Sequence, residues 1–230
     1  QLGHRVGCAL LQQLCPRSWP LAAFAPWGAG AFMSCALALH SCSPELGLAL
    51  LDGGQSRSVA HPLGRQLANG LFEAVEELLP ADRWPELQWL AVATGPGGFT
   101  GTRLTVVLAR SLAQQLGCPL WGWGSFELIA RRRSQELAGF DACWIGQTLP
   151  RRGVVAGRYR WEQGQVVELE APRLYRQGWS ELPGPSWEAE MDAAADASQL
   201  LELGGAAAES GEPGPWQPVL PIYPTSPVQS

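Results

Sequence analysis

The sequence contains no lysine, so all 16 basic residues among its 230 are arginine, and histidine is confined to His4, His40 and His61. A Walker-type phosphate loop needs its lysine, a Schiff-base enzyme needs an amine, and an H-E-x-x-H metalloprotease needs two histidines on one helix face. None of the three can be assembled here. Charge is also sparse: 21 acidic residues stand against 16 basic ones for a net charge of -5. Phosphate neutralisation dominates nucleic-acid affinity, so a mildly acidic chain without a dense basic stripe needs a partner to grip nucleic acid. The six cysteines, Cys8, Cys15, Cys35, Cys42, Cys118 and Cys143, include no C-x-x-C pair and no histidine couple at metal spacing, which argues against a structural zinc site. Their density is far below that of a disulfide-stapled mini-domain, and buried reduced thiols are expected.

From Ser18 to Pro44 there is no Asp, Glu, Lys or Arg. That run is long enough for a membrane helix, but Pro20, Pro26, Gly28 and Gly30 interrupt it. A signal-peptide reading would take Arg17 as the charged flank and Ala29-Gly30-Ala31 as the cleavage site. The expectation is a poorly structured leader, or a start set upstream of Met33, over residues 1–32. Three further segments are expected: a first lobe over 33–130, a reduced second lobe over 131–203 and a Pro/Gly-rich tail over 204–230.

Beyond Met33 the chain reads as strand, strand, strand, helix, strand, helix, strand. Cys35 to Leu39 and Leu46 to Leu51 are apolar runs of strand length, and Asp52-Gly53-Gly54 is a turn that returns the chain into Arg57 to Ala60. Leu63, Leu67, Leu71, Val75 and Leu78 recur every three or four residues, with Ala68, Phe72 and Leu79 beside them, and Pro80 closes that helix. Leu87 to Thr94 is nearly all apolar, as in a central strand covered on both faces. A second helix, Thr102 to Leu116, ends at Gly117, which suits the left-handed position after a helix. It is apolar around most of its circumference, with only a strip near Arg103, Arg110 and Gln114 polar, so it needs cover on more than one side, from the neighbouring helix or from another chain. Pro119 to Trp123 is the next strand, and a short helix begins at Ser125. Ala142 to Ile145, Gly153 to Tyr159 and Val166 to Leu169 are strands of the second lobe. Gly204 to Pro218 reads as a linker, and Val219 to Tyr223 as a short segment able to dock back.

Between the central strand and the second helix lies Gly95-Pro96-Gly97-Gly98-Phe99-Thr100-Gly101-Thr102-Arg103. Glycines permit close backbone approach and a helix N-terminus favours anions, so a nucleotide phosphate could sit there. Equally, the glycines could serve only a tight strand-to-helix connection. Composition alone does not separate the two. The segment resembles the G-P-G-S-F-T-G-x-R signature of the bacterial TsaB family, also called YeaZ, and the order of Leu37 to Cys42, Gly47 to Leu51, Leu112-Ala113, Pro119-Leu120 and Ser125-Phe126 follows that family from about Met33 to Ala130. Where the family has Asp-Thr-Ser, this chain has His40-Ser41-Cys42; the loop serine is Gly98; and in place of an aspartate ahead of an arginine in the second lobe it has Gly146-Gln147-Thr148. The carboxylate that related actin-like ATPases use to organise metal and phosphate is thus missing.

The resemblance implies an α/β, actin-like, ribonuclease-H-like fold with a complete first lobe and a reduced second one. It further implies a cytoplasmic, non-catalytic subunit of the machinery that installs N6-threonylcarbamoyladenosine at position 37 of tRNA. Such a subunit dimerises with the catalytic subunit TsaD, works with TsaE, meets tRNA through the complex and is not a membrane protein. ATP and threonylcarbamoyl-AMP are used by the complex, with no cofactor assigned to this chain. The expected partner-binding residues are Leu67, Leu71, Phe72, Val106, Ala109 and Arg103, as desolvated anchors and a charge. Two rival readings stand beside this one: a nucleotide-dependent kinase or ATPase binding through Gly95, Gly97, Gly98, Thr100, Gly101 and Arg103, and a homodimer using the same helices. His40 and His61 are read as packing and turn residues, and Arg131 to Arg133 as a solvated helix end whose alternative is tRNA backbone contact.

Overall fold

The computed structural model describes residues 35–224; the leader expected over 1–32, with Cys8, Cys15 and His4, lies outside them. Strand β1 (Cys35–His40) alternates strictly, Leu37 and Leu39 to one side and Ala36 and Ala38 to the other, and all are buried. Period-two alternation with both faces covered makes it a central strand. It pairs antiparallel with β2 (Leu46–Asp52), which turns into antiparallel β3 (Gln55–His61), and parallel with β4 (Trp89–Gly95), which pairs parallel with β5 (Leu120–Gly124). The sheet order is β3-β2-β1-β4-β5. An antiparallel meander extended by two parallel strands is the ribonuclease-H-like arrangement of actin-like proteins, as expected.

The two faces carry different residue sizes. On one, Leu37, Leu39, Leu48, Leu50, Leu90 and Val92 meet helices α1 (Leu67–Leu78) and α2 (Phe99–Leu116). The other is lined by Ala36, Ala38, Ala49, Ala91 and Ala93, flanked by Trp89 and Trp121, and is covered by Ala197, Leu200, Leu201 and Ala207. Those last four belong to a helix absent from the sequence reading. Two short helices, α3 (Ser125–Arg132) and α4 (Ser134–Leu137), follow β5, and the unexpected one, α5, spans Ala193–Glu209. The boundary expected between residues 203 and 204 therefore falls inside α5, and the supposed linker begins as buried helix. Helix α5 lies close against the sheet at both ends: a β-carbon on Gly47 of β2 would collide with the Ala193 carbonyl, and one on Gly204 would lie 2.4 Å from the Trp89 ring.

Strands β6 (Cys143–Leu149), β7 (Gly153–Glu162), β8 (Gln165–Tyr175) and β9 (Ser186–Glu188) form a second sheet, order β8-β7-β6-β9, with β9 parallel to β6. It repeats the first sheet's meander plus one parallel strand and stops there. Helix α3 bridges the two sheets, with Leu128 in the alanine-face core and Phe126, Ile129 and Ala130 in the second-sheet core with Cys143, Ile145 and Tyr159. Cys35, Cys42, Cys118 and Cys143 are all free and buried, as expected.

The fit of α5 to the sheet predicts opposite signs for neighbouring substitutions. Alanine for glycine within a helix ordinarily stabilises by roughly 0.5–1 kcal/mol. Gly205, whose β-carbon would have its nearest neighbour 3.9 Å away, should follow that rule. Gly204→Ala should instead destabilise by about 1–3 kcal/mol through overpacking on Trp89. Urea unfolding of the two variants checks the pair.

Candidate functional site

The glycine loop leaves β4 at its C-terminal end, beside the C-terminal end of β1, and opens α2. Gly95 and Pro96 are buried, Gly97 is half-buried, and Gly98 and Thr100 are exposed. The space in front of two of the glycines is taken by the chain itself. A β-carbon on Gly97 would fall 2.4 Å from the Cys42 carbonyl oxygen, and one on Gly101 would fall 2.6 Å from that of Ser41. The Gly98 amide donates to the Cys42 carbonyl at 3.2 Å. These glycines are explained by backbone-to-backbone packing of the loop against the segment after β1.

That segment is occupied throughout. The hydroxyls of Ser41 and Thr105 share a hydrogen bond of 2.7 Å, and the Thr102 hydroxyl donates to the Cys42 sulfur at 3.6 Å. Burial pushes the Cys42 thiol up to about 11, which leaves it a thiol rather than a nucleophilic thiolate. The Ser125 hydroxyl donates to the Pro96 carbonyl. Past α5 the chain returns across the same end of the sheet: the Ile222 amide donates to the Thr94 carbonyl at 2.7 Å, Val219 is buried in the core, and Tyr223 packs on Phe99 with ring centroids 4.9 Å apart. Docking of residues 219–223 agrees with the sequence reading.

His40 lies in the interior with neither ring nitrogen hydrogen-bonded, where the sequence suggested a hydrogen-bonded packing residue. Burial lowers its pKa to about 4, with Arg132 adding to the effect, so the imidazole is neutral at pH 7. Its Nε2 stands 3.7 Å from Asp196 Oδ2, which makes this a contact of a neutral ring with a carboxyl group and not an ion pair. Asp196, on the first turn of α5, is itself fully buried and was not found from sequence. One oxygen accepts from the Asp192 amide at 3.1 Å while Asp192 caps the helix by accepting from the Ala195 amide, and the other accepts from Arg132 Nε at 3.2 Å. The reciprocal pair Asp192 and Asp196 ahead of an apolar period is a helix-start signal the sequence did carry.

The arginine run is held within the chain. Arg131 pairs with Glu127 at 2.9 Å, Arg132 with Asp196, and Arg133 with Glu136 while lying 4.2 Å from the centroid of the Trp187 ring. It is a latch between α3 and its neighbours rather than a solvated end. His61 is half-buried at the end of β3.

The expected partner residues divide sharply. Val106 and Ala109 are wholly buried, and Leu67 and Leu71 are buried as well, all in the core between the helices and the first sheet. Burial within the chain removes those four as surface anchors. Helix α2 finds its cover on three sides from its own chain: the sheet, α1 and the returning segment, where Arg110 donates to the Val219 carbonyl at 2.8 Å and lies 5.3 Å from the Trp216 ring centroid. Phe72 on α1 remains 46% exposed, Val107 on α2 52% exposed, and Arg103 is exposed beside Val107 one turn earlier. Val107 escapes a reading from sequence because periodicity does not tell which of several apolar stripes faces outward.

No family model matches the chain. Over 138 residues it is 31% identical to the tRNA threonylcarbamoyladenosine biosynthesis protein TsaB of Bacillus subtilis (strain 168), an alignment covering 58% of each chain. The chain thus spans less than two thirds of the length of that relative. Among solved structures it is similar to YeaZ from Pseudomonas aeruginosa, with 24% identity, a TM-score of 0.65 and coverage of 83% of this chain and 100% of that one. It is also similar to a protein described as uncharacterized with similarity to the peptidase YEAZ from Pseudomonas aeruginosa, at 24% identity and a TM-score of 0.66, over 84% of this chain and 100% of that one. At that identity the two structures speak for the fold. The likeness to TsaB in sequence rests on the Bacillus subtilis relative. Among the described residues no helix is long and apolar enough to cross a membrane.

The buried pair beside the loop gives a pH signature. Asp196 is pushed up from 3.8 to about 6 by burial, against the pull of Arg132. Its contribution to stability is present at low pH and is lost as pH rises through about 6. His40, lowered to about 4 from 6.5, contributes stability above pH 6.5 that is lost as pH falls towards 4. Each amounts to about 3 kcal/mol and the two oppose one another. The parent chain should therefore show a shallow stability profile between pH 4 and 6.5. His40→Leu should gain stability as pH is lowered from 7 to 4.5, and Asp196→Asn should lose it; urea midpoints across that range decide the signs.

Proposed function

We propose that this chain, similar as it is to the TsaB (YeaZ) family, takes part in forming N6-threonylcarbamoyladenosine at position 37 of tRNA, as a non-catalytic subunit that holds the catalytic subunit TsaD in its active arrangement. In this reading it works in the cytoplasm with TsaD and TsaE, and ATP and threonylcarbamoyl-AMP are handled elsewhere in the complex. The observation that carries the reading is the outward side of α1 and α2. Phe72, Val107 and Arg103 are presented there on two helices rooted in the core, whereas the loop that could have served nucleotide chemistry is packed against the chain's own backbone. A rigid helical surface with an aromatic, a branched aliphatic and an arginine has the composition of an interface centre. Helices anchored as these are dock with little ordering cost.

The role of the glycine loop follows from its position. By fixing the segment after β1 to the start of α2, it sets the angle at which α2 leaves the sheet, and with it the placement of Arg103 and Val107. The space in front of Gly97 and Gly101 is taken by the Cys42 and Ser41 backbone, which leaves only the Gly98 side of the loop open.

In titration of purified TsaD with the full chain, Phe72→Glu combined with Val107→Glu should weaken binding roughly tenfold or more while the chain stays folded, the loss of the Phe72 stack on Trp84 lowering the thermal midpoint by only a few degrees. Val106→Glu should instead abolish folding, since a buried carboxylate has no partner there. Undiminished TsaD binding by the folded double variant would overturn the reading. A change of size on loss of TsaD, from heterodimer to homodimer, would assign the same surface to a second copy of this chain.

A further inference from the structure

Most arginines of the described residues are spent internally. Arg83, Arg131, Arg132, Arg133, Arg160 and Arg173 sit in ion pairs of 3.3 Å or less, and Arg57 and Arg110 donate to backbone carbonyls. Three that do not are gathered at one end of the second sheet. Arg151 and Arg152 form the tip of the β6–β7 hairpin, and Arg176 directly follows β8. The register brings them together: Leu149 pairs with Gly153 and Val154 with Tyr175, so that a β-carbon on Gly153 would lie 2.9 Å from the Arg176 Cα. All three side chains are exposed, and among the described residues none has a carboxylate within ion-pair distance.

Two further features mark this end. Arg151 holds a left-handed backbone, φ 62°, a conformation that glycine or asparagine takes at less cost, so an arginine there turns a strained position into a displayed charge. Two acids of this lobe are held by other groups: Glu181 accepts from the Gln177 amide, and Glu188 accepts from the Thr148 amide at 2.8 Å and its hydroxyl at 3.0 Å. Trp179 stands at the rim, half-buried, its indole N–H on the Thr148 hydroxyl. Guanidinium forks suit phosphate oxygens, and a partner presenting several phosphates at fixed spacing can meet all three at once.

We propose that Arg151, Arg152 and Arg176 form a contact surface for the phosphate backbone of RNA, placed on the lobe that carries no part of the α1–α2 surface. The proposal rests on reading the chain as part of a tRNA-modifying assembly, which favours RNA over an acidic protein as occupant. The contact is sequence-independent and positions the RNA without reading its bases. It also gives an acidic chain a local means of holding a polyanion that its net charge opposes.

The test uses a fluorescein-labelled, unmodified tRNA transcript and the full chain, followed by anisotropy from 50 to 200 mM monovalent salt. Arg151→Gln with Arg152→Gln and Arg176→Gln should weaken binding roughly tenfold or more at 50 mM salt. The slope of log affinity against log salt should flatten by about two to three, as for the loss of three phosphate contacts. Arg65→Gln, which removes one unpaired exposed charge elsewhere, should leave both readings nearly unchanged. Equal binding by the folded triple variant and the parent, or no binding by the parent at 50 mM salt, overturns the proposal. Loss of TsaD capture by the triple variant with transcript binding intact also overturns it, because the patch then serves a protein. The proposed function is tested separately: a parent chain that binds the transcript through these arginines but never captures TsaD keeps the RNA contact and removes the subunit role.

Discussion

An alanine-lined sheet face can be covered only by something that comes very close. Ala36, Ala38, Ala49, Ala91 and Ala93 leave a shallow surface between the bulk of Trp89 and Trp121, and a helix bearing large side chains on that side would stand off and leave voids, which protein interiors do not tolerate. Helix α5 meets the requirement with Ala193, Ala197, Gly204 and Ala207, and places leucines only where the sheet allows them. The opposite face follows the complementary rule, with leucine and valine meeting two helices of larger side chains. The alternation of residue size along β1 and β4 therefore decides which helices go where. It obliges the chain to return to the first sheet after building the second.

That return brings a charge inside. Asp196 enters at the start of α5 with its carboxyl group shared between a helix N-terminal amide, Arg132 of α3 and the edge of His40. A buried carboxylate without donors would cost several kcal/mol, and these contacts offset part of that cost without supplying a full set. The arrangement ties β1, α3 and α5 at one point, which is why Arg132 is not free to serve as a surface charge. The compensation between His40 and Asp196 is an outcome of two opposed desolvation effects at one site: each group alone would make the fold pH-sensitive, and together they flatten the response.

Much of the first lobe was legible because large apolar residues alternate with period two in β1 and recur with helical period in α1 and α2, contrasts that survive any register of reading. The sequence points to Thr102 as the start of α2, whereas the helix begins at Phe99, because glycine in the loop masks a first turn made of ordinary helical backbone. Helix α5 was illegible for the same physical reason that it fits. Its buried side is alanine and glycine, so little contrast separates it from its exposed side, and the sequence looks like linker. The four expected partner residues that prove to be core follow from the apolar character of α1 and α2; what composition could not supply was the third cover, a returning segment from more than a hundred residues downstream. The charged surfaces were harder still. Whether an arginine is free depends on which carboxylate the fold brings to it, as the contrast between Arg131 to Arg133 and Arg151, Arg152 and Arg176 shows.

The glycine loop is held by packing against its own chain on two of its glycines. In an α/β sheet of this kind the carboxyl ends of the parallel strands are where ligands usually sit. Here that crevice is narrowed from three directions: by Ser41 and Cys42 just after β1, by Ser125 from α3 and by Ile222 and Tyr223 from the returning segment. Each contact stiffens the junction of β4 with α2 and leaves less room for a substrate. On the proposed reading such a junction holds position, and the chain's contribution to an assembly is expressed on its outer surfaces. Those surfaces lie on separate lobes. The helical face of the first carries apolar side chains suited to a folded protein, and the hairpin end of the second carries unpaired guanidinium groups suited to phosphates. With α3 and its arginine latch bridging the two sheets, the spacing of the two surfaces is set by the fold itself, which is the physical basis on which the proposed subunit would align a protein partner with a nucleic acid.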